Sequence, residues 1–269
     1  MNPGAAIEAS MLDLFWLPEH VEVRRRPELC CLRSADPVLH YNAALRCHPP
    51  FAETQPLVRE ISDWHQAGCS RVHLYPSNRT AALESALVKH GYTASSEHDA
   101  MAVQVRAYVG RSTNGLIVRR VESMQEMRDC AEVLQASLGV PPPHSRAQWE
   151  EQLAACTGEN TRTHRYVVYD ASSLQPLSSG GLNLYPALGI GQLWGGGTVP
   201  TGRRRGAYSA LVSARVEAVR SAGLAYITLF ARHGESMPIV ARQGFEAFGR
   251  MTTWDRSSEQ AQRVYARIT

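Results

Sequence analysis

The sequence lacks several features that would indicate a secreted, membrane-bound or metal-binding protein. It has no apolar run near the roughly 18 residues that a membrane-spanning helix needs. The stretch from Met1 to Pro18 has no charged leader followed by an apolar core, so we expect no secretion signal. The six cysteines show neither Cys-x-x-Cys pairing nor the spacing of a disulfide framework, which favours reduced thiols in a cytoplasmic protein. The cysteines and histidines within residues 30–48 lack zinc-site spacing, so we expect no metal.

Strong charge of one sign is also missing. The formal net charge is +3 over 269 residues, which argues against a nucleic-acid-binding protein. The arginines cluster at Arg24–Arg26 and Arg203–Arg205, an arrangement that favours a local anion site and leaves nucleic-acid binding as the weaker alternative. With 44% hydrophobic and 20% charged residues, the chain can bury a substantial core.

The stretch from Leu193 to Gly223 predicts a glycine-rich strand, a basic turn and a helix. Apolar residues recur at three- and four-residue spacing from residue 207 onward, and Gly223 is placed to end the helix. A helix N-terminus offers unpaired N–H groups and a partial positive charge, and therefore binds anions. Gly202 and Gly206 allow a ligand to approach the backbone, and the three arginines add charge that does not titrate away. The alternative is a solvated basic turn, which the order of these elements disfavours.

This turn resembles the acyl-CoA pyrophosphate loop of the GNAT acyltransferase superfamily. Arg203 and Gly206 match the family pattern Arg/Gln-x-x-Gly-x-Gly/Ala, which lies between the fourth strand and the third helix. Tyr208 stands where Gly or Ala is usual, as in a Gly-Ala-Tyr variant of the loop. A second family signature follows, a predicted strand and a short helix that ends at Gly244-Phe245. The resemblance covers about residues 115 to 254.

The resemblance implies acetyl-CoA as the acyl donor, held by the fourth strand and by the loop. The implied cofactor-binding residues are Thr198, Val199, Arg203, Arg204, Arg205, Gly206, Ala207 and Tyr208. In the family, backbone groups of the fourth strand pair with the pantetheine, and we expect donors at Thr198 and Val199. The glycines at 195–197 suit a β-bulge or a close approach to a ligand; the alternative is a poorly packed strand.

The family's usual proton-transfer groups are absent. A glutamate on the fourth strand often serves as the base, but residues 192–199 contain no carboxylate. A tyrosine four residues before the Gly-Phe pair often serves as the acid, and Val240 occupies that position. The catalytic candidates that remain are Tyr208, His233 and Glu235, with Tyr185 as a further one. His233 also fits a solvated loop, and Tyr208 fits simple packing.

The two halves of the chain resemble each other. The helix-glycine-strand block around Gly68 parallels that around Gly223, and Gly91-Tyr92 parallels Gly244-Phe245. The order of these matches favours duplication over chance. We predict a degenerate GNAT-like domain over 1–108, a linker over 109–115 and an acyl-CoA-binding GNAT domain over 116–269.

The predicted fold class is α/β (α+β), with two GNAT-like, mostly antiparallel mixed sheets flanked by helices and packed as a pseudo-dimer. The loop before the first half's helix has two prolines without an N–H, no glycine and an acid, Glu53, so we expect no anion site there and a structural role for this half.

The leading functional hypothesis is transfer of an acetyl group from acetyl-CoA to a primary amine of a small molecule or peptide. Transfer is expected to be direct, because all six cysteines precede residue 157 and none lies in the loop. A non-catalytic acyl-CoA sensor is the alternative, since the usual acid and base are missing. We expect a monomer or homodimer with neither nucleic-acid nor membrane partners.

Overall fold

The computed structural model describes residues 2–35, 38–65, 68–110, 114–158 and 161–257. Within these ranges the chain forms one eleven-stranded mixed sheet and seven α-helices. The helices are α1 (Pro3–Ser10), α2 (Thr54–Trp64), α3 (Ala81–Lys89), α4 (Met124–Leu138), α5 (Arg146–Thr157), α6 (Ala207–Ser221) and α7 (Met237–Ala241). The strands are β1 (Glu22–Arg26), β2 (Leu29–Arg33), β3 (Ala43–Cys47), β4 (Cys69–Leu74), β5 (Thr93–Gln104), β6 (Leu116–Arg120), β7 (Thr163–Asp170), β8 (Pro176–Tyr185), β9 (Ile190–Thr198), β10 (Tyr226–Arg232) and β11 (Glu246–Ser257).

The last strand of each half is exchanged with the other half. The sheet order is β1-β2-β3-β4-β11-β5-β10-β9-β8-β7-β6. Strand β11 pairs antiparallel with β4, and β5 pairs antiparallel with β10. The two exchanged strands also pair antiparallel with each other, and His98 lies opposite Met251. The mixed fold class is confirmed, and the two expected sheets are joined into one continuous sheet in which each half completes the other.

Each half keeps its own helix-covered core beneath this shared sheet. The core of the second half packs the buried stripe of α6, including Leu211, Val216 and Val219, against β8, β9 and β10. The core of the first half packs α2 and α3 against β3 and β4. The exact limits 1–108 and 116–269 stay a prediction, and residues 111–113 of the predicted linker lie outside the described residues.

Helices α4 and α6 cover opposite faces of β8 and β9. A Cβ atom built on Gly197 would lie 2.1 Å from Ser137 Oγ of α4, whereas one built on Gly196 would lie 3.2 Å from Tyr208 of α6. The two faces of the second half are therefore covered by separate helices.

Ser123 starts α4 with a capping box, since its hydroxyl accepts from the Glu126 N–H and the Glu126 carboxylate accepts from the Ser123 N–H.

Helix α1 covers the centre of the sheet, where the halves meet. Ile7 is fully buried against Ala100 of β5 and Phe230 of β10. The N-terminal segment thus lies over the exchanged strands. None of the helices in the described ranges is both long and apolar enough to cross a membrane.

Candidate active site

Strands β9 and β10 part in the middle of the second half. They pair in parallel from Ile190–Tyr226 to Leu193–Leu229. Among the described residues no later pair joins them, although β9 runs on to Thr198 and β10 to Arg232. The strands therefore leave a gap whose narrow end is at Trp194 and Phe230.

A β-bulge shapes the β9 side of this gap. The pairing with β8 shifts between Ser179–Gly197 and Gly181–Trp194, which leaves one extra residue on β9. Gly195 in this stretch has a φ of 56°, a left-handed conformation that glycine adopts readily. The sequence-based expectation of a bulge in the glycine run is confirmed.

The basic loop lies beyond the wide end of the gap and leads into α6. Gly206, the N-cap of α6, has a φ of 82°, and Arg204 has a φ of 60°. The first helical hydrogen bond runs from the Ala210 N–H to the Gly206 carbonyl at 2.9 Å. The N–H groups of Ala207, Tyr208 and Ser209 therefore have no helical acceptor. A Cβ atom on Gly206 would meet nothing within 4 Å, so a ligand has room against this backbone.

The expected backbone donor on Val199 is not free. Its N–H donates to the Leu177 carbonyl of β8 at 3.0 Å. The Thr198 hydroxyl also lies 2.9 Å from the Ser178 hydroxyl of the same strand. The Val199 N–H is therefore directed toward β8 and away from the gap, whereas the assignment of Val199 to the cofactor site stays a prediction.

The three arginines of the loop differ in their partners. Arg205 forms an ion pair with Asp170 at the end of β7. Hydrogen bonds from Ser172 and Arg205 hold the pKa of Asp170 well below its usual value. Arg203 and Arg204 are exposed and have no ion-pair partner within the described part of the chain. Arg205 thus tethers the loop to the sheet, while the other two guanidinium groups are available to an anionic ligand.

Tyr208 projects from the first turn of α6 toward the bulge. A Cβ atom on Gly196 would lie 3.7 Å from the Tyr208 hydroxyl and an equal distance from Arg215 Nη2. Burial raises the pKa of Tyr208, and the nearby Arg215 charge partly offsets that rise. The phenol is therefore protonated at neutral pH beside the strand that lines the gap.

Arg215 is a buried cation that sequence reasoning missed. The side chain is 1% exposed, and it donates from Nη1 to the Gly181 carbonyl and from Nε to the Leu211 carbonyl, each at 3.1 Å. Its Nη2 has no hydrogen-bond partner among the described residues. The sequence does indicate that Arg215 is buried, because Leu211, Arg215 and Val219 are spaced four residues apart and therefore share one face of the helix.

His233 is oriented by a carboxylate from the first half of the chain. Its Nδ1 lies 2.7 Å from Asp99 Oδ2 and 3.0 Å from Arg250 Nη2. A carboxylate only accepts, so the Asp99 contact requires the proton on Nδ1, and in that form Nε2 is left for other partners. Arg250 Nε also donates to Asp99, at 3.0 Å. Burial raises the pKa of Asp99, but the hydrogen bonds from His233 and Arg250 outweigh it and the net pKa is lowered.

The structure does not bring Glu235 to His233. Glu235 is exposed and forms an ion pair with Arg232 at 3.3 Å. Val240 is fully buried in the core of the second half, so its position supplies no acid.

Gln192 of β9 is buried and accepts a hydrogen bond from Ser10 of α1 at 3.1 Å. No group of three or more metal-ligating side chains occurs among the described residues.

The corresponding gap in the first half is bridged by the protein itself. Among the described residues, strands β3 and β4 pair at Ala43–Arg71 and Ala44–Val72 and at no later position. Beyond these pairs, Asn78 Nδ2 donates to the Cys47 carbonyl at 3.1 Å, and Asn78 Oδ1 accepts from the Tyr75 N–H at 2.7 Å. An asparagine side chain thus joins the two strand ends that part in the second half.

Comparisons with known proteins identify the fold. No protein-family model and no curated protein matches the chain by sequence. A GCN5-related N-acetyltransferase from Kribbella flavida is similar in structure, with a TM-score of 0.74 and 15% identity over 98% of this chain and 99% of that one. One from Sphaerobacter thermophilus has a TM-score of 0.62 and 16% identity over 88% of this chain and 76% of that one. A tandem GNAT protein from the clavulanic acid biosynthesis pathway has a TM-score of 0.59 and 12% identity over 93% of this chain and 87% of that one.

Proposed function

We propose that this chain, which has the fold of the GNAT superfamily, is an N-acetyltransferase. It would transfer an acetyl group directly from acetyl-CoA to a primary amine of a small molecule or peptide. The observation that carries the proposal is the open, cationic N-terminus of α6 at the wide end of the β9–β10 gap.

The residues of the loop fit the diphosphate of an acyl-CoA. The backbone at Gly206 has open space, and free N–H groups follow it. A helix N-terminus favours a phosphate through these donors and through the helix dipole. Arg203 and Arg204 add positive charge without an ion-pair partner of their own in the described chain. When bound, acetyl-CoA supplies a thioester whose acyl carbon an amine can attack.

Tyr208 is the best placed proton donor for the departing thiolate. Its side chain is partly buried, its hydroxyl lies beside Gly196 close to the narrow end of the gap, and its raised pKa keeps it protonated. Tyr208 would serve as the general acid, because Val240, at the position of the family's usual tyrosine, has no proton to donate. His233, held by Asp99, is a second group able to move a proton through Nε2. Glu235 lacks such orientation.

The cysteines support direct transfer. All six are buried, and burial raises the pKa of Cys31 and, to about 12, the pKa of Cys47. Cys130 of α4 and Cys156 of α5 lie in the core that these helices form with β7, and burial also raises the pKa of Cys156. A buried thiol that remains protonated is a poor nucleophile, so an acyl-enzyme is not expected.

Tyr208→Phe tests the proposed acid. We expect kcat to fall by about 100-fold with little change in KM, because proton donation to the thiolate is lost in the transition state. Activity of the parent should fall at alkaline pH as Tyr208 deprotonates, and the variant should lose this alkaline decrease in activity.

Direct transfer has its own kinetic test. Thiol release measured over both substrates should give intersecting double-reciprocal lines. Parallel lines together with an acetylated chain in the absence of amine would contradict direct transfer.

A non-catalytic acyl-CoA sensor is the second candidate. The buried Val240 and the absence of a carboxylate on β9 favour it. Acetyl-CoA binding without thiol release across a panel of amines would select the sensor.

A further inference from the structure

A cavity of about 360 Å³ lies between α1 and the centre of the shared sheet. Its walls come from α1, from the turn after β4 and from the exchanged strands β5 and β11. The residues that matter for its chemistry are Ala5, Glu8, Tyr75, Ser77, Ala100 and Phe248. The first half of the chain therefore builds most of this cavity.

The cavity adjoins the narrow end of the β9–β10 gap, on the face opposite α6. Ala100 pairs with Phe230, the first β10 residue beyond the last pair with β9. The Tyr75 and Phe230 rings lie 6.3 Å apart. Phe230 packs on Ile7 of α1, whereas its neighbours Leu229 and Ala231 belong to the core beneath α6. Neighbouring strands are about 5 Å apart, so the cavity lies beside the strand that borders the gap, with Ile7 and Phe230 between the two.

The charge of the cavity is negative. Glu8 carries the only formal charge among the described residues that line it. One carboxylate oxygen of Glu8 accepts a hydrogen bond from the Ser77 hydroxyl, and the other oxygen is available to a ligand. The aromatic rings of Tyr75 and Phe248 also favour a cation over an anion.

Tyr75 supplies an unpaired polar group. The residue is 4% exposed, and its hydroxyl has no hydrogen-bond partner among the described residues. A buried hydroxyl without a partner costs free energy that a bound ligand with a donor recovers. The orphaned hydroxyl and the single carboxylate therefore define a ligand that is cationic and donates hydrogen bonds.

We propose that this cavity binds the amine acceptor as a small organic ammonium ion, with Glu8 as its charge partner and the Tyr75 hydroxyl as its hydrogen-bond acceptor. The role as acceptor rests on the proposed function. Ammonium binding does not, because it requires neither the basic loop nor acetyl-CoA.

Calorimetry with three probes of similar shape tests the charge preference: 2-phenylethylammonium, neutral 2-phenylethanol and anionic 3-phenylpropanoate. The ammonium should bind most tightly and the carboxylate least. Glu8→Gln keeps an acceptor for Ser77 and removes the charge. It should weaken ammonium binding about tenfold, the usual effect of losing a charge-assisted hydrogen bond, and leave the alcohol unchanged. Glu132→Gln, an exposed site on α4, is the matched control and should change neither.

Tyr75→Phe separates binding from folding. Since the hydroxyl has no partner in the free protein, its removal should leave the unfolding temperature unchanged or higher. The same variant should weaken ammonium binding several-fold. Ala5→Trp, at an exposed position of α1 on the cavity wall, should block all three probes while the chain stays folded.

Three results would overturn the proposal: no ammonium binding at millimolar concentration, equal affinity for the ammonium and the alcohol, or indifference of ammonium binding to Glu8→Gln. Acetyl transfer that is unaffected by Glu8→Gln and Tyr75→Phe would refute the cavity's role as the acceptor site and leave the proposed function standing. Glu8-dependent ammonium binding in a chain that does not bind acetyl-CoA would refute the proposed function and leave the cavity.

Discussion

Gly206→Asp is expected to weaken acetyl-CoA binding by at least about 100-fold, because a carboxylate a few ångströms from a diphosphate costs several kcal/mol even when partly screened. A Cβ on Gly206 points into open space, so the side chain would occupy the position proposed for the phosphates. Calorimetric titration with acetyl-CoA gives the affinity, and far-UV circular dichroism checks the fold.

Gly206→Asn is the matched control for this charge. Asn has nearly the shape of Asp and tolerates the left-handed conformation that Gly206 adopts, with a φ of 82°. The two variants therefore carry similar steric and backbone costs. We expect Asn to bind at least about tenfold more tightly than Asp. Equal, nearly parental affinity of both variants would place the diphosphate elsewhere.

Gly181→Ala is expected to disturb both stability and activity. An added Cβ would lie 2.1 Å from Trp194 Cε2, and Trp194 is held by a 3.0 Å hydrogen bond from its Nε1 to Asn183 and by Arg165, which lies 5.0 Å from the ring centroid. Overpacking of this kind costs about 1–3 kcal/mol in the free energy of unfolding. Displacement of Trp194 from the narrow end of the gap should lower acetyl transfer by about 100-fold.

A double-mutant cycle with Trp194→Leu isolates that contact. In the Trp194→Leu background the added methyl group meets no ring, so Gly181→Ala should cost little further stability. Denaturant unfolding of the four proteins measures the coupling. Strict additivity of the two substitutions would show that the clash with Trp194 is not the cause.

The local parts of the site could be predicted from the sequence. The strand, loop and helix around Gly206 are contiguous, and each is encoded by its own spacing of glycine, arginine and apolar residues. The capping box at Ser123 has the same local character. Such features depend on residues a few positions apart, which sequence patterns report well.

The strand exchange could not be predicted, because the pattern of a strand does not say which half it pairs with. Strand β5 pairs antiparallel with β10 in the structure. Its residue pattern would equally allow antiparallel pairing with β4. Asp99 was therefore missed as the partner of His233, since its place depends on this exchange. The Asn78 bridge between the ends of β3 and β4 likewise depends on tertiary geometry.

The direction of the Val199 N–H could not be predicted for a similar reason. In a regular strand, alternation decides which N–H groups face each neighbour, and one inserted residue reverses the assignment. The glycine run indicated a bulge, but the register on β8 that decides the direction of the Val199 N–H is set by the fold.

The proposed function requires that one half of the chain binds acetyl-CoA and the other does not. The stoichiometry of acetyl-CoA binding to the parent chain, measured by calorimetry on a protein of known active concentration, tests it most directly. We expect one site per chain, because the loop at Gly206 is open whereas Asn78 bridges the corresponding gap of the first half. Two equivalent sites per chain, or no binding at all, would contradict it.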